Sequence, residues 1–173
     1  VKCWGANARG QLGVGSAAAA LGTDPSHVGD RLPAVDLGTL RHRPGHRVAP
    51  PLAPARAIGV ACGAEFSCAL LDDLSVKCWG ANEWGELGLE DVQPRGRRPT
   101  EMGDALPAVS LGSSVGDEAL AIAAGQHFTC ALTAAGEVKC FGSNRFGQVA
   151  ADPGVEAVGA FPGDMSDALA AVP

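Results

Sequence analysis

The sequence predicts an all-β fold, part of a β-propeller made of four-stranded antiparallel blades. Two observations lead there. The string Val-Lys-Cys-Trp/Phe-Gly occurs three times, at residues 1–5, 76–80 and 138–142, with spacings of 75 and 62 residues. Between these copies the apolar residues fall into runs too short for helices, four per repeat, separated by Gly, Pro, Asp and Asn. Four short strands in a unit of this size is the pattern of a propeller blade.

Residues 1–5 read as the last strand of a blade whose earlier strands precede the chain. A glycine loop follows each copy of the string: Asn7 to Gly13, Asn82 to Gly88 and Asn144 to Val149. A second block recurs as Gly29-Asp30-Arg31-Leu32-Pro33-Ala34-Val35 and Gly103-Asp104-Ala105-Leu106-Pro107-Ala108-Val109. A looser third copy runs from Gly163-Asp164 to Val172. A third block, Ala61-Cys62-Gly63-Ala64-Glu65-Phe66-Ser67-Cys68-Ala69-Leu70, returns at 123–132 as Ala-Ala-Gly-Gln-His-Phe-Thr-Cys-Ala-Leu. The boundaries expected are one blade at 32–80, a second at 106–142, and the first strand of a further blade at 168–173. A propeller closes with typically four to eight blades. This reading therefore implies further blades or neighbouring chains.

The interval Gly38 to Gly63 is 25 residues and its counterpart Gly112 to Gly125 is 13, so 12 residues are inserted within 39–55. The stretch from Leu40 to Arg56 has four prolines and no acidic residue, and it carries Arg41, His42, Arg43, His46, Arg47 and Arg56. Arg41, Arg43 and Arg47 are candidate partner-binding residues, because a loop on a rigid scaffold is a natural binding element. A solvated, Pro-rich loop without a role is the plainer reading. Arg95, Arg97 and Arg98 form a second, smaller basic group.

Cysteine spacing is informative. Cys68 and Cys78 are ten apart, as are Cys130 and Cys140. In an antiparallel hairpin this spacing makes each pair directly opposed, with turns centred on Asp73 and Ala135. The same register opposes Leu70 to Val76 and Leu132 to Val138. Opposed Cα atoms lie about 4.5–5.5 Å apart, within reach of a disulfide. One cross-strand disulfide per blade is expected, and in the chain-entropy model each adds about 2.8 kcal/mol. Buried free thiols are the alternative. Disulfides would place the protein in an oxidising compartment, extracellular or at the cell surface. By the same rule Cys3 would pair ten positions upstream, before the first residue. Cys62 aligns with Ala124 and gains no partner from the repeat. No Cys-x-x-Cys occurs, so zinc has little support and no metal site is expected.

The strings Gly-x-His-Phe-Thr-Cys-Ala-Leu at 125–132, Val-Lys-Cys-Trp-Gly, and Asn-x-x-Gly-Gln-Leu-Gly at 7–13 resemble the regulator-of-chromosome-condensation repeat family. The cysteine-bearing form is similar to its secreted or cell-surface branch. Departures are Glu65 in place of the motif's His, Glu86 in place of Gln, and Phe141 in place of Trp. The resemblance implies a seven-bladed propeller and protein–protein recognition. It also implies two alternatives: guanine-nucleotide exchange on a small GTPase, or secreted inhibition of an enzyme.

The chemistry visible in the sequence agrees with a non-catalytic role. No nucleophile-elbow, phosphate-loop, zinc-protease or calcium-loop pattern occurs, so no cofactor and no catalytic residue is expected. A formal charge of −6 makes the chain a poor general nucleic-acid binder. No apolar run reaches the roughly 20 residues of a membrane span. Trp4, Trp79 and Phe141 recur at equivalent positions and are expected between blades. Trp84 does not recur, with Ala8 and Phe146 read in its place in the other two loops, and is a candidate partner-binding residue. Local packing explains it equally well. His127 is expected to hydrogen-bond within its blade.

Overall fold

The computed structural model describes residues 1–39 and 53–173. Its strands are β1 (Gly5–Ala6), β2 (Ala20–Leu21), β3 (Ala57–Cys62), β4 (Phe66–Leu71), β5 (Val76–Gly80), β6 (Ala119–Ala124), β7 (Phe128–Thr133), β8 (Val138–Ser143) and β9 (Ala157–Val158). They form three antiparallel sheets, β1-β2, β3-β4-β5 and β6-β7-β8-β9. The fold is all-β and propeller-like, with a four-stranded antiparallel sheet. The basic candidates Arg41, Arg43 and Arg47 lie outside the described residues.

The hairpin registers are those that the cysteine spacing predicts. Cys68 faces Cys78 and Leu70 faces Val76, while Cys130 faces Cys140 and Leu132 faces Val138. The Sγ atoms of the two pairs sit at disulfide distance, 2.11 and 2.06 Å. Short turns close both hairpins at Asp72–Asp73–Leu74 and Ala134–Ala135–Gly136, where Leu74 N–H bonds Leu71 O and Gly136 N–H bonds Thr133 O.

Hydrogen bonds group the strands one position away from the blade boundaries expected from the sequence. Val35 N–H donates to Val1 O, Val109 N–H to Val76 O and Val172 N–H to Val138 O, at 2.8–2.9 Å. Each Pro-Ala-Val or Ala-Ala-Val segment thus lies on the Val-Lys-Cys strand before it, rather than opening the sheet after it. Further contacts, Gly80 with Arg95 and Gly142 with Val158, start the same outer strand. The chain leaves the sheet through the glycine loop and returns alongside the strand it left.

The third copy of the Gly-Asp block is also corrected by the structure. Asp104 accepts from the Thr39 N–H and hydroxyl, and Asp167 accepts from the Ser113 N–H and hydroxyl in the same way. Asp167, not Asp164, is therefore the counterpart of Asp104. Before these aspartates stand Gly29 (before Asp30), Gly103 and Ser166, with φ of +72°, +66° and +61°. This is a left-handed conformation that suits glycine and strains serine.

The middle sheet packs on both faces. Ala69, Leu71 and Trp79 join Val35 and Leu37 of the preceding unit, together with Met102 and Leu106. Cys68, Leu70, Val76 and Cys78 join Val109, Leu111, Ala119 and Phe141 on the other side. Every residue of β4 and β5 is buried as a result.

The repeated lysines also point inward. Lys77 Nζ donates to Leu37 O and Gly103 O, and Lys139 Nζ donates to Leu111 O and to the Asp117 carboxylate at 2.8 Å. That bond is the main reason the Asp117 pKa lies below the usual carboxylate range. Lys2 is exposed and reaches Gly29 O.

Candidate functional site

The three glycine loops share one skeleton. The asparagine at its start is a clamp. Asn7 Oδ1 accepts from Leu12 N–H, Asn82 Oδ1 from Leu87 N–H and Asn144 Oδ1 from Val149 N–H. The amide Nδ2 of each donates across the loop, Asn7 to Ser16 O and Ala18 O, Asn82 to Asp91 O, and Asn144 to Val155 O. The fifth residue of each loop then holds the backbone of the third. Arg9 N–H bonds Gln11 Oε1, Trp84 N–H bonds Glu86 Oε2 and Phe146 N–H bonds Gln148 Oε1, at 2.7–2.9 Å. Arg9, not Ala8, is thus the counterpart of Trp84 and Phe146, and the side chain at this third position is free to vary on a fixed backbone.

Neighbouring loops are joined by side-chain pairs. Arg9 of the first loop meets Glu83 of the second at 3.0 Å and also Glu65 at 3.6 Å. Trp84 of the second loop lies beneath Arg145 of the third, whose guanidinium carbon is 4.8 Å from the ring centroid. In both cases the third residue of one loop meets the second residue of the next. Trp84 is half-buried, and Phe146 is 92% exposed.

The first two loops also plug the junction to the following sheet. Gln11 O accepts from Trp79 Nε1 at 3.0 Å and from Ser67 Oγ at 2.9 Å. Glu86 O accepts from Thr129 Oγ1 at 3.0 Å. Gly13 lies so close to the Trp79 indole that a Cβ there would come within 2.5 Å of it, and Gly88 lies the same way on Phe141. Trp79 and Phe141 are buried, as expected of aromatics between blades, whereas Trp4 is 66% exposed and borders a cleft of about 380 Å³ with Cys3, Val60 and Cys62.

The partner of His127 lies across the junction, in the preceding glycine loop, rather than within its own blade. The His127 Nδ1 lies 3.7 Å from the Glu86 carboxylate, which is 1% exposed. Burial raises the Glu86 pKa, and the bonds from Trp84 N–H and His127 offset only part of that rise. Sequence reading treats Glu65 and Glu86 as two separate departures, although each is half of a junction. One junction has Gln11 facing a strand that begins with Glu65, and the other has Glu86 facing His127. Aligning the repeats on both sides of each junction is the signal that would have joined them.

Cys3 and Cys62 are free thiols. Burial, then the neighbouring Cys62, raises the Cys3 pKa. Among the described residues no group of three or more His, Cys, Asp or Glu could hold a metal, and no helix is long and apolar enough to cross a membrane.

Two segments, residues 57–85 and 120–148, match the family model for the regulator of chromosome condensation (RCC1) repeat. These two segments are RCC1 repeats. Each matched RCC1 segment runs from the first strand of a sheet through its hairpin into the glycine loop. Over 98 residues the chain is 33% identical to the human protein "Probable E3 ubiquitin-protein ligase HERC4", and over 99 residues equally so to the mouse protein of that name. These alignments cover 57% of this chain and 8% of the relatives, so the RCC1-repeat chain spans under a tenth of their length. Solved structures with the same fold include human WBSCR16, with a TM-score of 0.54 and 19% identity over 89% of this chain and 32% of that one. Yeast RCC1 (Prp20), solved bound to Kap60, gives a TM-score of 0.56 and 19% identity over 98% of this chain and 32% of that one.

Proposed function

We propose that this chain is a protein-recognition module whose RCC1-type sheets hold glycine loops as fixed display points. The observation that carries the reading is the common loop skeleton, which fixes the backbone of Arg9, Trp84 and Phe146 through the side chains of Gln11, Glu86 and Gln148. A preorganised loop loses less entropy on binding, and Arg, Trp and Phe are residue types enriched at protein interfaces. Trp84 is the recognition residue proposed from sequence that falls within the described part of the chain. Selection of a phage-displayed random 12-mer library on the purified chain tests the reading. Enriched peptides that bind as synthetic ligands support it, and a library that yields none overturns it.

The cysteine pairs at disulfide distance further lead us to place the parent protein outside the cell or at its surface. Mapping of the unreduced, natively expressed protein by mass spectrometry tests this. Linked peptides containing Cys68–Cys78 and Cys130–Cys140 support it, and four free thiols overturn it. Guanine-nucleotide exchange is the second reading, favoured by the likeness to yeast RCC1. Faster release of a fluorescent guanine nucleotide from a small GTPase in the presence of the chain would bring it to the front.

A further inference from the structure

We propose that Trp84, Arg145 and Phe146 form one recognition patch, and that it takes a protein segment bearing a carboxylate beside an apolar side chain. This rests on the recognition reading and names the chemistry of the partner.

Two arginines of the loop face differ in how their charge is used. Arg9 is held by Glu65 and Glu83. Arg145 is exposed, lies on the Trp84 ring, and has no carboxylate within ion-pairing distance among the described residues. The cation–π contact pairs the guanidinium with no anion, so its N–H donors can still meet a carboxylate in a two-bond fork. The aromatic face also orients the group. The next residue in the chain, Phe146, is 92% exposed.

The patch is rigid where it needs to be. Glu86 and Gln148 fix the N–H groups of Trp84 and Phe146, and Asn82 and Asn144 clamp both loops. An occupant therefore meets a cation preset on the Trp84 ring, with Phe146 next to it in the chain. A peptide with Asp or Glu next to Leu, Ile or an aromatic satisfies both parts. A nucleic acid would supply anions too, but it would approach a chain of net charge −6.

The probe is the 12-mer phage library selected on the full chain, with enriched peptides resynthesised and their affinities measured by fluorescence anisotropy. We expect enrichment of an acidic residue adjacent to an apolar one. Arg145→Ala and Phe146→Ala should each weaken binding about tenfold. Arg145→Lys, which keeps the charge and loses the fork, should weaken it several-fold. Val115→Ala, at an exposed residue of another turn, should leave affinity unchanged. Melting temperatures should stay level throughout, because these side chains are exposed.

Peptides whose affinity ignores all three patch variants would overturn the patch and leave the recognition reading standing. Enrichment of basic peptides would overturn the carboxylate assignment. Binding to phosphatidylserine vesicles or to oligo-dT that is lost in Arg145→Ala, with no peptide enriched, would overturn the protein occupant along with the recognition reading.

Discussion

The two junctions between sheets do the same mechanical task with different chemistry. At the first, a neutral Gln11 sits in the loop, Trp79 donates to its carbonyl, and the charge at the head of the next sheet, Glu65, is met by Arg9. At the second, the charge has moved into the loop as a buried Glu86, the aromatic is Phe141 with no donor, Thr129 supplies the bond to the loop carbonyl, and His127 faces the carboxylate. What stays constant is the geometry: a glycine against a ring, and a side-chain donor to the fifth loop carbonyl. The difference teaches that the fold requires this closure, while the polar groups around it can be redistributed provided each keeps a partner.

The largest effect should come from emptying the ring site. Trp79→Ala and Phe141→Ala should each cost about 3–5 kcal/mol in chemical denaturation, and near-equal losses would show that the two junctions carry equal weight. Trp79→Phe separates ring from donor, because it removes the indole bond to Gln11 O. A loss of about 1 kcal/mol is expected, and no loss would mean that Ser67 alone satisfies that carbonyl.

Next comes the packing of glycine on phenylalanine at the head of each hairpin. A Cβ on Gly63 would lie 1.9 Å from the Phe66 ring, and one on Gly125 would lie 2.0 Å from Phe128. Gly63→Ala and Gly125→Ala should destabilise by about 1–3 kcal/mol. Gly63→Ala is expected to be the more costly, because both faces of its sheet are packed and Phe66 has less room to move.

The electrostatic contrast gives a smaller, pH-dependent effect. Burial raises the Glu86 pKa, so the folded state holds this proton more tightly than the unfolded chain does. Its favourable contribution is complete below the ordinary glutamate range and is lost as pH rises through the raised value. Glu86→Gln keeps the acceptor for Trp84 N–H, as Gln11 and Gln148 do in their loops. The variant should be more stable than the parent at pH 8 by about 1 kcal/mol, with the gap closing as pH falls toward 4. A gap that widens on acidification would show that the His127 contact dominates instead. The reverse exchange, Gln11→Glu, puts a second carboxylate at the junction headed by Glu65 and should destabilise at neutral pH.

The smallest effect concerns the outer strands. Ser166 adopts the left-handed backbone that glycine occupies at positions 29 and 103. Ser166→Gly should raise stability by about 0.5–1 kcal/mol in thermal unfolding.

The hairpins were legible in the sequence because local spacing sets them. Two cysteines ten residues apart, with apolar pairs two positions further in, leave a single consistent register. Outer-strand pairing was not legible. Val109 returns to Val76 across a sequence separation of 33, and nothing local marks the strand to which it returns. Assigning residues 32–37 to the sheet that follows them was natural from chain order, yet Val35 bonds back to Val1. The loop face was half legible. Trp84 stood out because it broke the repeat, whereas Arg145 and Phe146 gained meaning only once the third loop was seen against the second.

The buried ammonium groups also bear on how the molecule can be handled. Its three lysines, at 2, 77 and 139, all belong to the repeated strings, and two of them are folded away against carbonyl oxygens. Amine-directed reagents would therefore modify Lys2 and spare Lys77 and Lys139 while the sheets stay intact.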